Sequence, residues 1–367
     1  MKIIHECRIY ENPLPQLKSR QSFFPFLTEL ESGRIMATFA IGEAFESVDL
    51  STYVAFSDDG GKSFGEPRRM LPEDAFGCPV SDSAKAVRLP DGRLMAIGYA
   101  YIRTDPSLPM GNPENGGLLE DILYVTTSED GGESWSAPRE ITSNWGRHVE
   151  ASAPLTVTKS GKLITPITGF PDWDGKDHGR TEGRALVSLD GGESFSDEAV
   201  CMAFDEKVSC YEQRMCELES GTLVDIGWNE NLESGERLEN HYTVSTDGGR
   251  SWSKPRPTGI RGQASSVCAI GGERLLALHA VRRDTDRPGI YAYIVDLSRG
   301  EWDIIEEKLV WEPAVPVTRD GKMAEIFAFL KFGQPGAILL SDGDVLMSHW
   351  ECTDGAYTCH ATRISLE

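Results

Sequence analysis

The chain has 367 residues, 40% of them hydrophobic and 9% aromatic, with 37 glycines, and no run approaches the roughly 20 apolar residues of a membrane-crossing helix. A formal charge of −22 disfavours nucleic acid and acidic membrane surfaces as partners, although a small anionic ligand needs only a local pocket of arginines. The length exceeds one ordinary core, so the chain is either several domains or one repeat architecture.

The first segment, Met1-Lys-Ile-Ile-His-Glu-Cys-Arg, alternates like a strand and lacks the pattern of a secretory leader, so a cytoplasmic location is expected. Two signals then recur along the chain. The first is a pair of apolar runs joined by a glycine turn, with the glycines at Gly33, Gly92, Gly161, Gly221, Gly272 and Gly343. The second is Ser-x-Asp-x-Gly-x-Ser-Trp/Phe, at Ser57–Phe64, Ser128–Trp135, Ser188–Phe195 and Ser245–Trp252. Its Asp can accept backbone N–H bonds, its glycines supply positive φ and its aromatic packs beneath the turn.

One unit explains both signals: strand, glycine turn, strand, long loop, strand, Asp turn, strand. Six such units predict an all-β, six-bladed β-propeller spanning residues 1–367. The fifth unit carries a degenerate turn, Asp296-Leu-Ser-Arg-Gly-Glu-Trp302. The sixth runs out of chain after its third strand, so Ile3–Tyr10 is predicted to close that blade and remove an open sheet edge.

In this scheme both kinds of turn fall on one face and the long, irregular loops on the other, where binding chemistry usually sits. The starts of the innermost strands converge on the axis below those loops. They offer Arg20 and Gln21; Asp82; His148 and Glu150; Tyr211, Glu212 and Arg214; Arg261 and Gln263; Lys331 and Gln334. Structural alternatives stand beside these readings. Glu212 and Arg214 are spaced for a plain ion pair, Asp82 between Ser81 and Ser83 for a turn cap, and Arg20 after Lys18 for a solvated surface. The eight cysteines lack metal spacing and read as buried free thiols, and the Asp172–His178 loop lacks the glycine and glutamate positions of a calcium loop. No metal and no cofactor are expected.

The Asp turns in a six-unit chain resemble the Asp boxes, or BNR repeats, of the sialidase (neuraminidase) superfamily. That resemblance implies a propeller in which three arginines hold a sugar carboxylate, a glutamate polarises a nucleophilic tyrosine and an Asp acts as acid/base. Glu212 matches the polarising glutamate. The sequence departs from the pattern elsewhere: Ser22-Phe23-Phe24-Pro25 places Phe23 at the first arginine, Trp228 and Asn229 stand where a later one is expected, and Phe332-Gly-Gln-Pro-Gly contains no tyrosine. The expectation is a sialidase-like carbohydrate-active enzyme, a glycoside hydrolase for an anionic or deoxy sugar that handles ordinary sialosides poorly. Its substrate would be a small molecule or an oligosaccharide, with Glu212, Glu150 and Asp82 as the working carboxylates. A uronate lyase using Tyr211 or His148, a non-catalytic glycan-binding propeller and a protein-binding scaffold are the alternatives.

Overall fold

The computed structural model describes residues 1–283, 285–314 and 330–367. Among them are no helices, and the strands form six antiparallel sheets. Strand β1 (Lys2–Tyr10) comes first. Blade 1 is β2 (Gln21–Glu29), β3 (Ile35–Gly42), β4 (Ser51–Ser57) and β5 (Arg68–Arg69), and blade 2 is β6 (Val80–Arg88), β7 (Leu94–Ile102), β8 (Asp121–Ser128) and β9 (Arg139–Glu140). Blade 3 has its inner strand in two pieces, β10 (Val149–Glu150) and β11 (Thr156–Val157), followed by β12 (Leu163–Gly169), β13 (Glu182–Ser188) and β14 (Ser196–Ala203). Blade 4 is β15 (Tyr211–Glu217), β16 (Leu223–Trp228), β17 (His241–Ser245) and β18 (Arg256–Pro257). Blade 5 is β19 (Ser265–Gly271), β20 (Arg274–Val281), β21 (Gly289–Asp296) and β22 (Asp303–Trp311). Blade 6 is β23 (Phe332–Leu339), β24 (Val345–Thr353) and β25 (Ala356–Ser365).

The predicted closure is present. Strand β1 pairs antiparallel with β25, from Lys2 opposite Ser365 to Tyr10 opposite Cys359, and gives blade 6 its fourth strand. The apolar core lies between the blades, because each sheet is buried on both faces by its neighbours. Phe23, Leu27 and Phe39 of blade 1 pack on Leu346 and Trp350 of blade 6, and Met36 and Phe56 pack on Leu94 and Tyr124 of blade 2. The interface between blades 3 and 4 has a smaller apolar group, Ile164, Ala185, Cys201, Met215 and Leu223. Polar contacts accompany it: Gln213 Nε2 donates to Thr168 Oγ1 at 2.7 Å, and that hydroxyl donates to the Cys210 carbonyl at 2.7 Å.

Each Asp turn is a closed hydrogen-bond set. In the second, Ser128 Oγ donates to Asp130 Oδ1 at 2.8 Å and accepts from the Gly132 N–H at 2.9 Å, while the Ser134 N–H donates to Asp130 Oδ1 at 2.9 Å. Hydrogen bonds from Ser134 hold the Asp130 carboxyl down at about 2. The second glycine of each turn also seats on the preceding blade. A methyl group at Gly132 would lie 2.7 Å from Met36 Sδ, at Gly249 2.8 Å from Ile164 Cδ1 and at Gly61 2.9 Å from Leu346 Cδ2. Gly192 meets Met95 in the same way. The degenerate fifth turn has no such seat at Gly300 and instead stacks Trp302 on Tyr242 of blade 4, with ring centroids 4.7 Å apart.

All eight cysteines are free thiols, as expected, but Cys7, Cys78 and Cys352 are only half-buried.

Candidate functional site

Three of the inner strands carry the same irregularity. The ladders of β2, β15 and β23 each place two residues opposite one, between Phe23 and Phe26, Tyr211 and Arg214, and Gly333 and Gly336. The bulged residues Phe24, Glu212 and Gln334 are therefore equivalent, and all have positive φ, at 57°, 42° and 43°. A bulge re-aims a side chain that strict alternation would send into the blade interface.

The bulges bring Glu212 and Gln334 together. Gln334 Nε2 donates to Glu212 Oε1 at 2.6 Å, and Trp228 Nε1 donates to Glu212 Oε2 at 2.8 Å. The Glu212 N–H in turn donates to Glu150 Oε2 at 2.9 Å. Ser152 Oγ donates to Glu150 Oε1 and accepts from Arg214 Nη1 at 3.0 Å, so a hydrogen-bonded chain links Arg214, Ser152, Glu150 and Glu212 across blades 3 and 4. Burial and the adjacent Glu212 charge push Glu150 up to about 7, against the opposing pull of Ser152, the Glu212 N–H and Arg214.

Lys85, on β6 of blade 2, is buried at 6% exposure and lies within electrostatic range of Arg214, Glu212 and Glu150. Burial and then the like charge of Arg214 lower it to about 7, while Glu212 and Glu150 pull it upward. Its sequence signal is a lone charge within the small-residue run Ser83-Ala84-Lys85-Ala86. The first residue of that strand to attract notice is Asp82 instead.

Beside the carboxylates, an open cleft lies between blades 4 and 5, lined by Trp228, Asn229, Arg237, Arg261, Gln263, Arg282 and Arg283 among others. Four arginines line it, with Glu230 close enough to feel the charges of Arg283 and Arg237. Arg282 Nε donates to the Gln263 carbonyl at 2.6 Å, and burial lowers its guanidinium to about 10 against the supporting charge of Glu212. Trp228 joins the two regions, since it lines the cleft and bonds Glu212. Arg237, Arg282 and Arg283 come from long loops whose convergence no single stretch of sequence displays.

The structure thus gathers Glu212, Glu150, Arg214 and Gln334, and sets Arg261 and Gln263 on the adjoining cleft. The other expected positions lie elsewhere. Strand β6 has no bulge, so Asp82 stays within the blade 1 to blade 2 interface, accepting from Thr52 Oγ1 at 2.5 Å and Tyr124 Oη at 3.1 Å. Tyr211 packs between Phe170 and Trp228, at 5.7 and 4.5 Å, and its buried hydroxyl, pushed up to about 12, sits among Arg180, Glu230 and Asp177. His148 leaves Glu150 and stacks on His178. Arg20 donates to Tyr53 Oη at 2.9 Å, Gln21 Oε1 accepts from the Tyr357 N–H at 2.6 Å, and Lys331 Nζ reaches Cys352 Sγ at 3.5 Å. These three brace blades 1 and 6. Phe23, at the position expected of an arginine, is fully buried against Phe24, Phe45, Trp350 and Tyr357.

Six four-stranded blades, four of them carrying an Asp turn, define a sialidase-like BNR-repeat propeller. The chain belongs to the family described as BNR repeat-like domain, which matches residues 110–315. Among solved structures it is similar to a protein of unknown function from Dyadobacter fermentans, with a TM-score of 0.75 and 19% identity over 100% of this chain and 99% of the other. It is also similar to the Hadza microbial sialidase Hz136, with a TM-score of 0.64 and 16% identity over 94% of this chain and 66% of that one. The intramolecular trans-sialidase of Ruminococcus gnavus, in complex with oseltamivir carboxylate, gives a TM-score of 0.59 and 14% identity over 93% and 94%. No curated protein matches the chain. At these identities the similarity carries the fold and not the activity.

Proposed function

We propose that the protein is a glycoside hydrolase acting on an anionic sugar. The observation that carries this reading is the Glu150 and Glu212 pair bridged to an arginine-lined cleft by Trp228. Arginines of the cleft would hold the sugar's carboxylate or sulfate through paired N–H donors. Glu150, which keeps a proton near neutral pH, would donate it to the departing glycosidic oxygen as the bond to the anomeric carbon breaks. Glu212, whose two oxygens both accept hydrogen bonds, would act at the anomeric carbon or on a water that attacks it. Gln334 occupies the position from which a tyrosine would be polarised by Glu212, and an amide offers no nucleophilic oxygen there. This supports substrates other than ordinary sialosides.

Elimination from a uronate is the second reading, and Lys85 favours it. Tyr211 and His148 lie away from the carboxylates, but an amine titrating at about 7 can remove a proton from the carbon next to a carboxylate that arginines neutralise.

The test is turnover of a panel of aryl glycosides and oligosaccharides of uronic, sulfated, deoxy and sialic sugars by the full chain, Glu212→Gln and Glu150→Gln. Hydrolysis of an anionic member is expected, with kcat lowered about 10²–10⁴-fold in either variant. An unsaturated, ultraviolet-absorbing product that depends on Lys85 would replace hydrolysis by elimination. Binding without turnover of any member would overturn the enzymatic reading, and full activity of Glu212→Gln would remove Glu212 from the chemistry.

A further inference from the structure

The loop face of blade 3 assembles a second group of side chains that takes no part in the carboxylate cluster. His148 immediately precedes β10, while Asp172 and His178 come from the connection between β12 and β13. The two imidazole rings stack with centroids 4.4 Å apart and planes inclined by 20°. His178 Nε2 lies 3.0 Å from Asp172 Oδ2, and one ligand atom from each of the three residues falls within 4.8 Å of the others. All three side chains are half-buried, so the group has one side in protein and one side open. His148 Nδ1 is buried and has no hydrogen-bond partner.

This group is held in place by backbone contacts rather than left to chance on a surface loop. The N–H groups of Asp174 and Lys176 donate to Asp172 Oδ1 at 3.1 and 3.0 Å, which leaves Oδ2 to His178. Blade 2 braces the same loop: Asn112 and Asn115 donate to the Trp173 carbonyl at 2.9 and 3.1 Å, and the Leu118 N–H donates to the Pro171 carbonyl at 2.9 Å. Gly117 is in contact with the Asp172 carbonyl, where a side chain would not fit.

We propose that His148, His178 and Asp172 form a binding site for a divalent transition metal ion of the zinc type, with the remaining coordination position open to solvent or to a ligand. Two imidazoles and one carboxylate are the donor set for zinc and its first-row neighbours, whereas calcium and magnesium take oxygen donors. Around a tetrahedral ion with bonds of about 2.0–2.1 Å, adjacent ligand atoms stand roughly 3.3 Å apart. The spacing of 3.0 Å between His178 and Asp172 is already close to that value. Among the described residues a second such group, Glu6, His349 and His360, has both histidines buried, and both nitrogens of His360 are engaged by carboxylates, Glu6 at 3.0 Å and Glu351 at 3.2 Å. Sequence spacing hid the site because His148 is far from the Asp172–His178 loop in the chain.

The full chain, stripped with a chelator, is titrated with Co²⁺ and then Zn²⁺, followed by visible absorption and by calorimetry. One Co²⁺ per chain is expected, with the absorption of a low-coordinate nitrogen and oxygen site that Zn²⁺ bleaches. His178→Ala and Asp172→Asn should each weaken binding at least about tenfold. Asp172→Asn lies on a loop and keeps the shape of the side chain, so it serves as the comparison should a histidine variant misfold. Absence of stoichiometric Co²⁺ binding would overturn the proposal. So would binding that survives both variants but is lost in His349→Ala, or binding of Ca²⁺ as tight as that of Zn²⁺.

Discussion

Glu150 connects the electrostatics of a single side chain to both stability and rate. Its folded value of about 7 lies above the ordinary 4.5, so the folded chain holds this proton more tightly than the unfolded chain does. The stabilising contribution is therefore complete below about pH 4.5 and is lost as pH rises through about 7. Thermal unfolding between those limits should show a falling stability that Glu150→Gln flattens. If Glu150 is the proton donor, kcat/KM should decline above about pH 7 in the native chain, and a variant that lacks the ionisable group should lose that limb. Identical pH profiles for the two proteins would remove Glu150 from both roles. The residues of this cluster were unequally legible. Asp82 and Glu212 both stand near the start of an inner strand, and pattern alone treats them alike. The difference is the bulge between Tyr211 and Arg214, which a single strand's sequence does not announce, because its extra residue is defined only against the opposing ladder.

At the scale of the element, the Asp turn was legible because its chemistry is local: two serines, an aspartate and a glycine satisfy one another within eight residues. Its second role, as a seat on the preceding blade, depends on a side chain far away in sequence and was not. Two variants separate the roles. Ser128→Ala leaves the buried Gly132 N–H without its acceptor and should cost about 1–3 kcal/mol. Gly132→Ala forces a methyl against Met36 and should cost a further steric term of about 1–3 kcal/mol, besides the strain of an alanine at φ 91°. Met36→Ala introduced with Gly132→Ala should recover the steric part, whereas Met36→Ala with Ser128→Ala should not. Denaturant unfolding of the two double variants measures this, and strict additivity in both would refute the seat. The same repetition made the number of blades readable, whereas the arginine cleft, built from loops of no fixed pattern, was not.

For the whole molecule, ring closure rests on β1. Besides its ladder with β25, it contributes Glu6 to a chain in which His360 Nδ1 meets Glu6 at 3.0 Å and His360 Nε2 meets Glu351 at 3.2 Å. Burial opposes the charged imidazole, but the hydrogen bonds and charges of the two carboxylates outweigh it and raise His360 above 6.5. A raised histidine stabilises fully below its ordinary value and loses that contribution as pH climbs past the folded one. His360→Gln should thus cost stability at pH 5.5 and progressively less at pH 8, and melting curves at the two pH values check the sign. A larger loss at pH 8 would contradict the bridge.

The seats of the Asp turns also give the ring a direction. Each of the four places a glycine of one blade on a side chain of the blade before it, joining blade 1 to 6, 2 to 1, 3 to 2 and 4 to 3, while the turn at Gly300 lacks such a seat. A molecule with nearly equal blades is therefore unequally jointed, and β1 meets β25 by strand pairing alone in blade 6. For an engineer seeking new ends or an insertion point, the turn at Ser298–Gly300 leaves every seat intact, whereas a cut at Gly132 or Gly192 opens a joint.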